Sequence, residues 1–222
     1  MRLLGIVNIG LCLTVLTLTD CGPPPVVDVT AADLTVEPTI ADVDPAPWDG
    51  KLLVAVQFLE GGSVVQLALS NTVTCNGVVL IWNGLLRGYI ERVPLVGPGG
   101  SYAITHMGAG VTTQINVPVP PRPALTSPSP GASLPRTANL MIDYVAASSA
   151  GVLPSATGGI ISISGAEQPD TGVATLDVTA LPVGPGTVGV LRRIVSSPSN
   201  TGFGSVTATY TISSVDTHVT WQ

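Results

Sequence analysis

From Lys51 onward, apolar and polar side chains alternate in short runs, each closed by glycine, proline, asparagine or serine. "KLLVAVQF" and "VVQLALS" are separated by Glu60-Gly61-Gly62, and "VTCNGVVLIW" folds back at Asn76-Gly77. That dipeptide between two apolar runs predicts a type I′ hairpin, because both central residues must take positive φ. The turn sets the register: Cys75 faces Val78, Thr74 faces Val79, and Val73 faces Leu80. Side chains alternate across a strand. Val73, Cys75, Val78, Leu80 and Trp82 therefore share one face, the expected core face, while Thr72, Thr74, Val79 and Ile81 share the other. "LRGYIERV" predicts another strand. "SYAITHMGAGVTTQINVPV" predicts a second hairpin with Gly108-Ala109-Gly110 at its tip. Its apolar-leaning positions are Tyr102, Ile104, Val111, Ile115 and Val117, with Thr113 interrupting them.

"VPVPPRP" reads as an extended connector, because proline restricts both its own φ and the residue before it. Beyond it, "ANLMIDYV", "GIISISG", "VATLDVT", "TVGVLRRIV", "SVTATYTI" and "DTHVTW" are six strand candidates with Gly, Pro, Ser and Asn between them. Val206, Ala208, Tyr210 and Ile212 alternate with Thr207, Thr209 and Thr211, and Val215, Thr217, Val219 and Trp221 with Asp216, His218 and Thr220. Tyr144, Tyr210 and Trp221 are the expected anchors of this half. No stretch sustains a helical period. Short, closely spaced strands predict an all-β protein of two β-sandwich domains.

Composition adds to this picture. The 222 residues carry a net charge of −6, with Lys51 the only lysine beside seven arginines. A nucleic-acid surface would need clustered basic residues, which are missing. Six of the carboxylates fall between residues 22 and 50, in a proline-rich stretch with no Lys or Arg. That stretch is expected to be a disordered acidic tether, with a stiff reach on the order of 80 Å. The alternative is that "VVDVT" or "ADLTVEP" forms an edge strand of the first domain. The expected organisation is therefore a signal peptide over 1–20, a tether over 21–50, a first sandwich over 51–119 and a second over 120–222.

The leader is apolar from Leu3 to about Leu18, after a single Arg2. It is short for a spanning helix and sits where a secretory h-region sits. "LTDC", Leu18 to Cys21, resembles a bacterial lipobox, in which the signal peptide is cut before a cysteine that then carries lipid. Leu18 and Thr19 fit the pattern; Asp20 stands where that family prefers Gly, Ala or Ser. The resemblance implies lipidation at Cys21 and a membrane partner through that lipid. Ordinary secretion, with a cut near Val29 to Ala31, and an uncleaved anchor are the alternatives. On the lipid reading Cys12 is discarded and Cys75 has no partner in its own chain. Its position in the hairpin then makes it a small core hydrophobe.

"ALTSPSPGASLPRTANLMIDYV" is similar to the opening of bacterial immunoglobulin-like domains, and "LDVTALPVGPGTVGV" to a later stretch of them. The resemblance spans most of residues 122 to 222 and implies an immunoglobulin-like or fibronectin-III-like sandwich. The antibody-type Cys…Trp…Cys signature is missing. A fold of this kind implies no particular activity.

Candidate chemistry is thin. His106 and His218 fall in different domains, both expected on solvent-exposed polar positions, and no Gly-x-Ser-x-Gly elbow occurs. Two separated histidines and one buried cysteine do not make a zinc site. Glu167 and Asp170 in "EQPDTG" give a weak calcium hint against an ordinary Asp-Thr-Gly turn. Of Arg192-Arg193 on a strand, one points out and the other towards the opposite face, where an inward arginine needs a carboxylate or a place at the sheet edge; the pair equally fits a β-bulge.

The expectation is an exported, lipid-anchored protein at the bacterial cell surface or in the periplasm, with no catalytic residues, cofactor or metal. It would present its sandwiches for adhesion or binding. A protein or glycan ligand is expected at the loops Gly97–Ser101, Gly108–Gly110, Ala146–Gly159 and Ser196–Gly204, since loops held by a scaffold carry function. The alternatives are an accessory subunit of an envelope assembly, recognised through a sheet edge, and a small secreted hydrolase.

Overall fold

The structure is a computed structural model and describes residues 24–27, 30–42, 50–147 and 151–222. Among the described residues the elements are strands apart from one 3-10 turn at Ala31–Asp33, so the fold is all-β. The stretch expected to be a signal peptide, with Cys12, and Cys21, the expected lipid site, lie outside the described residues.

The Asn76-Gly77 hairpin forms as expected. Asn76 has φ 48° and Gly77 φ 80°, and Cys75 pairs with Val78 and Thr74 with Val79. Val73, Cys75 and Leu80 are buried, whereas Val79 and Ile81 face water. Leu80 is also a corner. The strand Val78–Val79 belongs to a small sheet, but Ile81–Asn83 pairs with Gly88–Pro94 in a large one. Strands that switch sheets make the corners of a sandwich. The buried Leu80 side chain holds this one while its N–H donates to the Val73 carbonyl at 2.8 Å.

Three sheets build the body. A 14-stranded sheet runs in the order Val26–Val27, Ser63–Leu67, Lys51–Glu60, Leu34–Asp42, Ala208–Ser213, Gly184–Ser196, Gly151–Gly158, Ile161–Ser164, with shorter strands added along it. Val111–Pro118, Ser101–Gly108, Thr72–Cys75 and Val78–Val79 form a second sheet; Leu125–Ser127, Leu140–Tyr144 and Val173–Leu176 form a third. Two apolar cores result. One gathers Leu34, Phe58, Cys75, Tyr102 and Ile115. The other gathers Ile142, Tyr144, Val152, Val188 and Trp221. Each small sheet thus faces one half of the large sheet, and the two sandwiches share a spine.

The structure corrects three expectations. The first concerns the tether over 21–50, whose Leu34–Asp42 stretch is a central strand. It pairs antiparallel with Lys51–Glu60 and parallel with Ala208–Ser213. Leu34, Val36 and Ile40 are fully buried. Their two-residue period lies beneath the prolines and acids that made the stretch look unstructured. Pro38 lacks an N–H, which a central strand ordinarily needs. It sits opposite the interruption between Ser205–Val206, which pairs with Thr35 and Val36, and the strand beginning at Ala208.

The second correction falls in Ala146–Gly159, expected to be one of the contact loops. Gly151–Gly158 is an eight-residue strand bonded to Gly184–Ser196 on one side and Ile161–Ser164 on the other. The third concerns Tyr210, expected to anchor the second sandwich. Phe203, Val206, Ala208, Tyr210 and Ile212 pack in the first core instead, with Tyr210 and Tyr102 ring centroids 6.2 Å apart.

The cause of the third lies at Ser213–Asp216. Ser214 is fully buried; its N–H donates to the Val190 carbonyl at 2.8 Å, and its hydroxyl accepts from the Val190 N–H at 2.9 Å. That local detour lets one long strand pair first with Thr217–Trp221 over the second core and then with Ala208–Ser213.

Candidate functional site

His106 is buried, not exposed as expected. It sits opposite Thr113 on the neighbouring strand, in a three-ring cluster with Phe58 and Phe203. Its Nε2 lies 2.8 Å from Asn71 Oδ1, and its Nδ1 lies 3.3 Å from Thr113 Oγ1. The Asn71 amide is oriented by its own Nδ2, which donates to the Ala68 carbonyl at 3.2 Å. Asn71 Oδ1 therefore accepts, and the ring proton sits on Nε2. Burial lowers the imidazole pKa below its ordinary 6.5 and favours the neutral form. Gly108 leaves the space for this contact, since a Cβ there would come within 1.8 Å of Asn71 Oδ1. Thr113, which broke the apolar pattern, is thus the polar half of a buried pair. Val111, expected on the apolar face, is exposed.

His218 faces water on the last strand, as its alternation predicts. It borders an open groove of about 470 Å³ together with Arg122, Pro123, Leu125, Pro130 and Asp216. Asp216 lies over Gly189, where a Cβ would come within 2.6 Å of its Oδ1. The Thr187 hydroxyl donates to Asp216 Oδ2 at 3.5 Å. Thr187 also sits directly across from His218.

The arginine pair divides as a strand requires. Arg192 points inward and is 1% exposed; its Nε donates to Asp170 Oδ2 at 2.7 Å, and the two side chains are equally buried. Its remaining nitrogens donate to the Pro121 carbonyl at 3.0 Å and the Val145 carbonyl at 2.6 Å. Arg193 points outward and pairs with Glu167 at 2.5 Å. Both carboxylates behind the calcium hint are therefore engaged by arginines. The sequence leaves a carboxylate, a sheet edge and a bulge all open, and it does not mark Asp170, which is brought in from 22 residues away.

A second arginine was not singled out from the sequence. Arg122 donates to Asp42 at 2.7 Å and to the Ser213 carbonyl at 2.8 Å. It ties the proline-rich connector to the end of the Leu34–Asp42 strand. Tyr210 lies close by, and burial, then the neighbouring Tyr102 and Asp42, push its hydroxyl pKa well up. Connector residues Pro121 and Arg122 are thus gripped from both sandwiches. The only signal in the sequence was an arginine amid prolines.

Cys75 is fully buried, and burial pushes its thiol up to about 12. Of the candidate contact loops, Gly97–Ser101 and the Gly108–Gly110 tip stand at the surface. Ser196–Gly204 does not stand free. Thr201 N donates to the Gln114 carbonyl at 3.0 Å, Ser199 accepts from Asn116 N at 3.5 Å, and Phe203 is buried.

No family model matches the chain, and no curated protein matches it. Among solved structures it is similar to SGBP-B of the Bacteroides ovatus mixed-linkage glucan utilization locus, solved with a mixed-linkage heptasaccharide. That alignment covers 92% of this chain and 69% of the other, at 13% identity and a TM-score of 0.24. Similarity at that level fixes neither topology nor ligand.

Proposed function

We propose that this chain is an exported, non-catalytic binding protein, held to the bacterial envelope by a lipid on Cys21. On this reading it presents its sandwich-end loops to a protein or glycan. The observation that carries it is the shared spine. A sheet that runs through both cores, with the connector held at Pro121 by Arg192 and tied to Asp42 by its own Arg122, sets the two sets of end loops in fixed relation. Rigid support of exposed loops lowers the ordering cost of binding.

The immunoglobulin-like reading of the second sandwich is supported by its strand pairing. Leu125–Ser127 joins Leu140–Tyr144 and Val173–Leu176 on one side, while Gly151–Gly158, Gly184–Ser196 and Thr217–Trp221 form the other. The opening segment then changes sides, because Ser133–Leu134 adds in parallel to Thr220 and Trp221. Two aligned sheets joined in this manner are the architecture of that group.

The anchored geometry differs from a long tether. Val26 pairs with Gln66 in the large sheet. Four residues, Gly22 to Pro25, separate it from Cys21, so the five steps of extended chain span at most about 18 Å. A lipidated chain would hold its first sandwich close to the bilayer. Membrane fractionation of the natural protein beside a Cys21→Ala variant tests the anchor, and equal release of both into the soluble fraction refutes it. Sedimentation with insoluble glycans and matrix proteins tests the binding role. Release of cleaved product from any of them would refute the non-catalytic reading.

A further inference from the structure

The large sheet ends on Ile161–Ser164, and this edge differs from the other long edges. Val111–Pro118 is overlaid by the backbone of Ser199–Thr201. Val173–Leu176 is capped by the Gln168 side-chain amide, which accepts from Thr175 N at 3.0 Å and donates to the Thr175 carbonyl at 2.7 Å. On the outer side of Ile161–Ser164 no described strand lies. Its sequence, "GGIISISG", holds no charge and no proline. These are the devices by which natural edges avoid pairing.

The hairpin geometry says which groups are free. Gly158 and Ile161 flank a two-residue turn with Gly159 at φ 57°. They form its closing hydrogen-bonded pair, and such pairs alternate along an antiparallel ladder. Odd-numbered residues therefore turn their backbone groups to the neighbouring strand, as Gly165 does when its N–H donates to the Pro154 carbonyl at 2.8 Å. Ser162 and Ser164 turn theirs outward, with no backbone partner among the described residues.

The side chains are self-complementary. Ile163 pairs with the buried Ala156 and packs on the second core. Ile161 lies on the same face beside Gly158, over Trp221, yet is 40% exposed. Residues opposed in an antiparallel pair share a face. To keep the core faces of two copies on one side, an odd residue must oppose an odd one. Centring the pairing on Ser162 does this. It sets Ile161 of each copy against Ile163 of the other, and the Ser162 N–H and C=O of each copy against those of its mate. The strand itself carries no charge, so no like charges are set opposite one another at the seam.

We propose that Ile161–Ser164 is an interface between two copies of this chain, paired antiparallel across a two-fold axis at Ser162. It would extend the spine from one molecule into the next. Directly opposed hydrogen-bonded residues have Cα atoms about 5.5 Å apart, within disulfide reach. The test is mild oxidation of the purified full chain carrying Ser162→Cys. The unsubstituted chain, which has the same Cys12, Cys21 and Cys75, is one control. The exposed Val79→Cys variant on another edge is the second.

A reducible band of doubled mass from Ser162→Cys, beyond both controls, is expected. It should be lost when Ile161→Lys is added, since two lysines would then enter the pairing zone. No band beyond the controls overturns the proposal and leaves the edge to a strand from another protein. A band indifferent to Ile161→Lys overturns it as a chance encounter of surface thiols.

Discussion

Replacing Asp170 with alanine would strand the Arg192 guanidinium at a site where both side chains are 1% exposed. Two carbonyls, of Pro121 and Val145, would remain as its acceptors, neither carrying a charge. Removing one partner of a buried ion pair costs about 3–5 kcal/mol, because the remaining charge keeps its desolvation penalty and loses its compensation. In a chain of this length each kcal/mol shifts Tm by about 2–4 °C, so the expected fall is about 6–20 °C. Arg192→Leu should cost a similar amount, as it removes the charge but leaves Asp170 and both carbonyls without their donor. The double variant leaves no buried charge, only two unsatisfied carbonyls at about 1–3 kcal/mol each. Its cost should therefore fall short of the sum of the singles by about 2 kcal/mol or more. Thermal and urea unfolding followed by circular dichroism would measure all four corners of the cycle. A loss below about 1 kcal/mol for Asp170→Ala, or strictly additive costs, would refute the claim that this pair is a buried keystone.

Other outcomes follow from the same packing. Gly186→Ala would place a Cβ 2.0 Å from Trp221 Nε1 and 2.1 Å from the Thr157 carbonyl, the two ends of one hydrogen bond. It should cost about 3 kcal/mol or more in urea unfolding, whereas Gly97→Ala, with open space around it, should stay within about 0.5 kcal/mol. His106 should make stability pH-dependent. Its folded pKa lies below 6.5, so its contribution is full above that pH and is lost as pH falls through the lowered value. Urea titrations between neutral and mildly acid pH should show up to one more proton taken up on unfolding by the natural chain than by His106→Gln, and equal slopes would contradict the buried neutral ring. Cys75, with its thiol pushed up to about 12, should resist maleimide in the folded chain and react once urea unfolds it, as peptide masses would report.

Strand periodicity is a local property, and the sequence alone determined much of what depends on it. The Asn76-Gly77 turn and the inward face through Val73, Cys75 and Leu80 both follow from a two-residue repeat and one dipeptide. The six strands expected after the connector are all present. That an inward arginine here would need a carboxylate or a sheet edge was legible as well, though not which.

Tertiary structure decided which partner each strand takes, because pairing joins segments far apart in the chain, and no local pattern records the other half. Leu34–Asp42 is central only because Ala208–Ser213 arrives beside it from the far end. Gly151–Gly158 reads as a loop because its residues are small, and its burial comes from the strands on either side. Asn71 reaches His106, and Asp170 reaches Arg192, across 35 and 22 residues. A core side chain is apolar by its own chemistry, but a buried polar one is tolerated only by the neighbour that satisfies it, and the fold alone supplies that neighbour.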